Sequence, residues 1–290
     1  MTDNSYKPKV IVLGIDGLEY SLVEKWKLKN IMQKSYCKTD LSDYEVIVTP
    51  PIWGSMLTGE IDEEIIKIWK ISTELTPVNQ NEKLNLLVII GDAVLPFTIK
   101  QFIWDNIVGK KIGGNPFEVT ANYVRDKNLT NIFDFFKKPW TNGIPGYGKN
   151  VSTKKDRILM EKAMGKRAVL FREHVIKKYK DDKEQLLNAI DKKSHDMIFW
   201  YTMILDKFGH AYMKKPLFLM NYYMEINQLV GKIKSQFKDS KIYVISDHGM
   251  KLIKAGWGMH SNYGFFSSNT GEKINKPYDL FNLVLKHKTK

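Results

Sequence analysis

Asp247 and His248 close the run Lys241-Ile242-Tyr243-Val244-Ile245-Ser246. A carboxylate beside an imidazole, at the end of a short β-branched apolar stretch, is donor chemistry for a metal ion. The pattern recurs along the chain. Val10 to Ile15 run into Asp16, and Met197 to Tyr201 lead toward Asp206, with His210 four residues further on. His260 follows in the glycine-rich stretch Gly256-Trp257-Gly258-Met259-His260-Ser261. In open α/β sheets, ligands bind outside the carboxyl ends of the strands. Three strands are therefore expected to bring oxygen and imidazole donors to one edge of a sheet. Such a site suits two-metal hydrolysis of phosphate esters.

Thr49 adds a nucleophile to this set. Pro50 and Pro51 suit a first helical turn, which predicts a helix through about Leu57, stopped at Thr58-Gly59, with Thr49 at its N-cap. There its hydroxyl would face free backbone N–H groups and the positive end of the helix dipole, a setting that favours an alkoxide and phosphate oxygens. Ser and Thr caps are common, and a threonine hydroxyl attacks only when a base or a metal activates it. The spacing of Asp206 and His210 puts both on one face of a helical turn, where they can share a metal or simply form an ion pair. Each signal is ordinary alone; together they define the set Asp16, Thr49, Asp206, His210, Asp247, His248 and His260.

The elements that must position this set alternate strand and helix. Strands are expected at 9–15, 84–90, 196–201 and 241–246, and helices at 49–57, 155–189 and near 217–237. This implies an α/β fold with a mostly parallel central sheet and helices on both faces. Asp92, after Leu87 to Gly91, is another strand-end carboxylate, but no histidine accompanies it and a structural role is expected. His174, His195 and His287 sit among lysines and read as surface residues; Phe208 and Tyr201 read as core. Candidate ligands come from both ends of the chain and no Pro/Gly/Ser-rich linker divides it. The expected organisation is therefore a single catalytic domain, 1–290, with the irregular 60–150 region shaping the substrate side.

Composition narrows the class. The chain has 290 residues, 43% of them hydrophobic, and a formal net charge of +13. Its lone cysteine, Cys37, excludes an intramolecular disulfide and a thiolate zinc cluster, leaving histidine and carboxylate as donors. The first apolar run is too short for a signal segment or a membrane span, so a cytoplasmic protein without membrane attachment is expected. Lys154 to Lys180 carry ten Lys/Arg against Asp156, Glu161 and Glu173. Such a basic ridge could attract nucleic acid, but a solvated helix face explains it as well and no base-reading motif accompanies it.

The stretches VLGIDG, VTPPIWGSMLTG, LDKFGH, SDHGM and GMHSNYGFF resemble, in order and context, the alkaline phosphatase superfamily, specifically its type I phosphodiesterase/nucleotide pyrophosphatase branch. The resemblance implies two divalent ions, zinc being the usual one, with manganese or iron also fitting. One would be held by Asp16, Asp247, His248 and Thr49, the other by Asp206, His210 and His260. It implies cleavage of phosphodiesters, including nucleotide pyrophosphates, through a phosphothreonine at Thr49. A phosphomonoesterase or phosphomutase of the same superfamily, or a catalytically decayed basic binding module, are the alternatives. Three carboxylates and an alkoxide balance two divalent ions, which suits a phosphodiester monoanion. Only eleven residues separate His248 from His260, implying a reduced cap. Sulfatases need a different nucleophile element, which Cys37-Lys38-Thr39-Asp40 does not provide. The asparagine that relatives use downstream of the nucleophile has no counterpart at Trp69-Lys70.

Overall fold

The computed structural model describes residues 7–74, 116–148, 168–254 and 256–290. The expected strand at 84–90, Asp92 and the first half of the basic ridge lie outside the described residues. The strands are β1 Val10–Ile15, β2 Ser35–Asp40, β3 Pro139–Thr141, β4 Met197–Thr202, β5 Lys241–Ser246, β6 Met250–Leu252, β7 Gly258–His260 and β8 Tyr263–Ser268. The helices are α1 Tyr20–Lys25, α2 Lys29–Met32, α3 Thr49–Thr58, α4 Glu63–Glu74, α5 Pro116–Val119, α6 Tyr123–Asp126, α7 Ala168–Asp191, α8 Ile204–Tyr212, α9 Pro216–Gln236 and α10 Asp279–Leu285.

Six strands form the main sheet in the order β2-β8-β5-β1-β4-β3, while β6 and β7 make a separate hairpin. The pairs β5-β1, β1-β4 and β4-β3 are parallel; β8 runs antiparallel to both β5 and β2. The fold class is thus as expected, with one antiparallel strand, β8, next to the edge strand β2 that the strand pattern did not reveal. β1 lies in the middle because it can be buried on both faces, and all six of its residues are. Side chains alternate across the sheet. Ile11, Leu13, Ile198, Trp200, Ile242 and Val244 pack with α7, α8 and α9 on one face. Val10, Val12, Met197, Phe199, Tyr243 and Ile245 pack with α3 and α10 on the other. Each such fully buried aliphatic side chain contributes about 1.5–3 kcal/mol. Together they make the sheet a rigid base for the turns at its edge. No helix among the described residues is long and apolar enough to cross a membrane.

Candidate metal centre

Because β1 is flanked by β4 and β5, the connections leaving these three strands are neighbours in space. Asp16 follows β1 directly, and its N–H donates to Thr202 O at the end of β4. Gly17, at φ +71, lets the turn pass against α8: a Cβ there would meet the Asp206 nitrogen at 2.7 Å. Asp206 is therefore carried by the first turn of α8 rather than by the strand end itself, and His210 lies one turn later on the same face. Asp247 and His248 end β5. His260 ends the β6–β7 hairpin, which lies across α8. A Cβ on Gly258 would meet Gly209 O at 2.2 Å, so only a glycine lets the hairpin come down onto that helix.

The donors converge. Oxygens and nitrogens of Asp16, Asp247 and His248 lie within 4.8 Å of one another, and so do those of Asp206, His248 and His260. His210 Nε2 is 3.1 Å from Asp206 Oδ1 and 3.1 Å from His260 Nε2. His248 Nε2 is 3.4 Å from Asp16 Oδ1 and 3.3 Å from Asp247 Oδ2. The His248 and His260 rings stack with centroids 3.6 Å apart, so His248 sits between the two groups.

Each imidazole is oriented from behind. His210 Nδ1 bonds Gly258 O at 2.8 Å, His260 Nδ1 bonds Ile47 O at 2.9 Å, and His248 Nδ1 bonds Gly249 O at 3.1 Å. A carbonyl can only accept, so each Nδ1 carries a proton and each Nε2 offers its lone pair to the centre. Two such lone pairs 3.1 Å apart repel unless a metal ion or a proton lies between them. Asp16 Oδ1, Asp206 Oδ1, both Asp247 oxygens and His248 Nε2 are buried without a hydrogen-bond partner. Leaving charged groups so costs more than the ~1–3 kcal/mol of a neutral one. The donor set, three carboxylates and three oriented imidazoles, fits divalent cations such as zinc.

Electrostatics carries the same mark. Burial, then the charges of Asp247 and Asp206, push Asp16 well above the usual carboxylate range. Burial and Asp206 raise Asp247 to about 7. Burial would raise Asp206 too, but Lys207 and His210 outweigh it and hold its carboxyl well below the ordinary value. Burial lowers His248 to about 4, and burial with the neighbouring His248 lowers His260 to about 4. For His210, attraction by Asp206 overcomes burial and the ring is raised.

Thr49 is half-buried at the start of α3, two residues after Ile47, whose carbonyl accepts from His260 Nδ1. The expectation that it caps the helix is corrected: extended Val48 occupies that position, without a side-chain bond, and Thr49 is the first helical residue. A cap hydroxyl bonds the N–H two or three residues on, and Pro51 has none. The two prolines also remove two of the donors expected for phosphate. Tyr201 is buried as expected, but its hydroxyl donates to Asp16 Oδ2. Lys207, not singled out from the sequence, is buried with Nζ 3.1 Å from Asp206 Oδ2. It looks like a solvated helix residue, and only its direction toward Asp206 marks it. Phe208 packs in the core with Phe171, Tyr212 and Phe218. His174, His195 and His287 lie away from the centre and are partly exposed. Trp69 packs against Ile65 and Tyr123, and Lys70 pairs with Glu45.

The model of the type I phosphodiesterase / nucleotide pyrophosphatase family matches residues 10–261, and the chain belongs to that family of phosphoester hydrolases. No curated protein matches it. Among solved structures, it is similar to the alkaline phosphatase of the Antarctic bacterium TAB5, at 12% identity over 97% of this chain and 98% of that one, TM-score 0.42. It is also similar to murine ectonucleotide pyrophosphatase/phosphodiesterase 5, at 15% identity over 85% of this chain and 59% of that one, TM-score 0.37.

Proposed function

We propose that this member of the type I phosphodiesterase/nucleotide pyrophosphatase family is a two-metal hydrolase that cleaves phosphodiesters, nucleotide pyrophosphates among them, through a phosphothreonine at Thr49. The observation that carries the reading is the convergence of His210 and His260 Nε2, lone pair to lone pair, beside an unpartnered carboxylate oxygen. Asp16, Asp247, His248 and Thr49 would hold one divalent ion, and Asp206, His210 and His260 the other. Bound there, such ions supply positive charge at the phosphoryl oxygens and lower the pKa of a neighbouring hydroxyl.

The chain's own part is positioning. Thr49 Oγ1 makes no hydrogen bond among the described residues, so its lone pairs are available to phosphorus. Its hydroxyl proton goes to solvent as its oxygen forms the new P–O bond and the bond to the leaving alkoxide breaks, and that alkoxide takes a proton from solvent. Water then displaces the phosphate from Thr49 and restores the hydroxyl. Tyr201 holds Asp16 and Lys207 holds Asp206, each by the oxygen turned away from the centre.

Lys207 changes the charge count. With its ammonium, the balance of three carboxylates, one alkoxide and two divalent ions becomes +1 instead of neutral, which attracts a monoester dianion more strongly than a diester monoanion. That observation favours the second reading, a phosphomonoesterase or phosphomutase. The family membership favours the diester, as does the absence of a site-facing arginine among the described residues: Arg125 lies over Tyr147 and Arg172 is exposed on α7. Zinc is the proposed metal because mixed imidazole and carboxylate donors suit it. The reading includes a single catalytic domain over 1–290 and, from the lone cysteine, a cytoplasmic location. Metal content per chain and kcat/KM for bis-p-nitrophenyl phosphate against p-nitrophenyl phosphate test it. Two metals and a diester preference are expected; a clear monoester preference moves the protein to the second reading, and metal-free, inactive protein overturns both.

A further inference from the structure

Glu19 lies three residues after Asp16 and is 2% exposed. It occupies the N-cap of α1, where its Oε1 accepts from Ser21 N at 2.9 Å. Capping needs no more than that, and shorter side chains do it better. The longer glutamate reaches further. Oε1 also accepts from Tyr263 Oη at 2.7 Å, while Oε2 accepts from Met250 N at 2.8 Å and from Ser261 Oγ at 3.2 Å. Met250 is two residues past His248, and Ser261 is next to His260. One carboxylate thus joins the turn of Asp16, the turn of Asp247 and His248, and the strand end of His260, without touching any of these donors itself. The fit is close: a Cβ on Gly249 would lie 2.3 Å from Glu19 Oε2. Neighbouring bonds tie the same turns, with Ser246 Oγ accepting from Leu18 N and donating to His248 O, and Ser261 N donating to Gly249 O.

We infer that Glu19 is a positioning residue that preorganises donors of both metal sites by clamping three turns through a single buried carboxylate; this rests on the two-metal reading above. In the metal-free protein the converging buried carboxylates of Asp16, Asp206 and Asp247 repel one another, so something must keep the turns together before metal arrives. Four hydrogen bonds to one carboxylate serve that purpose.

The test is zinc binding to chelator-treated protein by titration calorimetry, beside thermal melting of the same metal-free samples. Glu19→Asp keeps the cap on Ser21 but loses the reach to Met250 and Ser261. It is expected to melt close to wild type and to bind zinc about 10–100-fold more weakly. Glu19→Gln can accept from only one of the two backbone N–H groups and is expected to fall between. A merely structural glutamate predicts the opposite split, lower melting with unchanged zinc affinity, and that result overturns the clamp. Should the Glu19 variants not fold, Ser261→Ala and Tyr263→Phe remove donors from the far side; each is expected to weaken zinc binding several-fold, and unchanged affinity in both again overturns it. Wild-type protein that binds no zinc, manganese or iron refutes the two-metal reading, and the clamp with it. Unchanged variants beside a metal-binding wild type refute the clamp alone.

Discussion

Replacing Asp247 by asparagine should stabilise the metal-free protein while destroying its response to metal. Burial and the Asp206 charge raise Asp247 to about 7 from the ordinary 3.8. At one pKa unit per ~1.4 kcal/mol, holding that carboxylate ionised costs the fold on the order of 4 kcal/mol. The sign follows from proton counts. Between about pH 4 and 7 the folded state binds more protons at this position than the unfolded state. The destabilisation therefore grows as pH rises through that window and is constant above it. Asparagine does not titrate, so Asp247→Asn should gain about 4 kcal/mol at about pH 8 and only about 1–2 kcal/mol at about pH 5. For a chain of this size 1 kcal/mol moves Tm by roughly 2 °C, giving gains of about 8 °C and 3 °C. The assay is thermal unfolding of chelator-treated protein followed by circular dichroism at both pH values, then with added zinc. Zinc should raise the wild-type Tm by several degrees, since a ligand at 1,000 times its Kd contributes about 4 kcal/mol, and leave the variant far behind. A metal-free variant that melts below wild type at about pH 8, or a gap that does not shrink at about pH 5, would contradict the burial cost assigned to Asp247.

Other expectations concern single residues. Thr49→Ala should keep both metals by elemental analysis and lose at least about 1,000-fold in kcat, while Thr49→Ser retains measurable turnover; full activity in the alanine variant would mean direct attack by water. His210→Ala and His260→Ala should each hold one metal per chain instead of two, and unchanged stoichiometry in both would sink the partition of ligands. Gly258→Ala puts a methyl against Gly209 O and should cost about 1–3 kcal/mol in denaturant unfolding, with zinc binding to the His210–His260 site weakened more than to the other; equal weakening of both sites would count against the role given to the hairpin. If the part of the basic ridge carried by α7 faces the substrate, turnover of a polyanionic ester should fall steeply with salt and that of a small chromogenic diester should not.

The available chemistry can be read along the chain. A buried parallel strand is read as a continuous apolar run, and the residue where it ends is free to be polar; Asp16 and the Asp247-His248 pair are visible for that reason. Asp206 and His210 are visible through the helical period, and Thr49 through the two prolines behind it. These are local rules, set by burial and by 3.6-residue spacing. Glu19 and Tyr201 were not legible as site residues, because each acts through a partner more than 180 positions away in the chain; Lys207 was hidden because spacing does not specify a side-chain direction, and Gly258 because its close approach to Gly209 joins separate elements. The antiparallel strand β8 was hidden likewise, its place between β5 and the edge strand β2 being a matter of pairing with a segment from the other end of the chain. The place of β1 between β4 and β5, which makes three separate turns neighbours, is a product of folding. So is the hairpin laid on α8 that brings His260 to His210. Proximity of that kind depends on which faces bury together and how closely glycine lets backbones approach, and no local stretch of sequence contains either quantity.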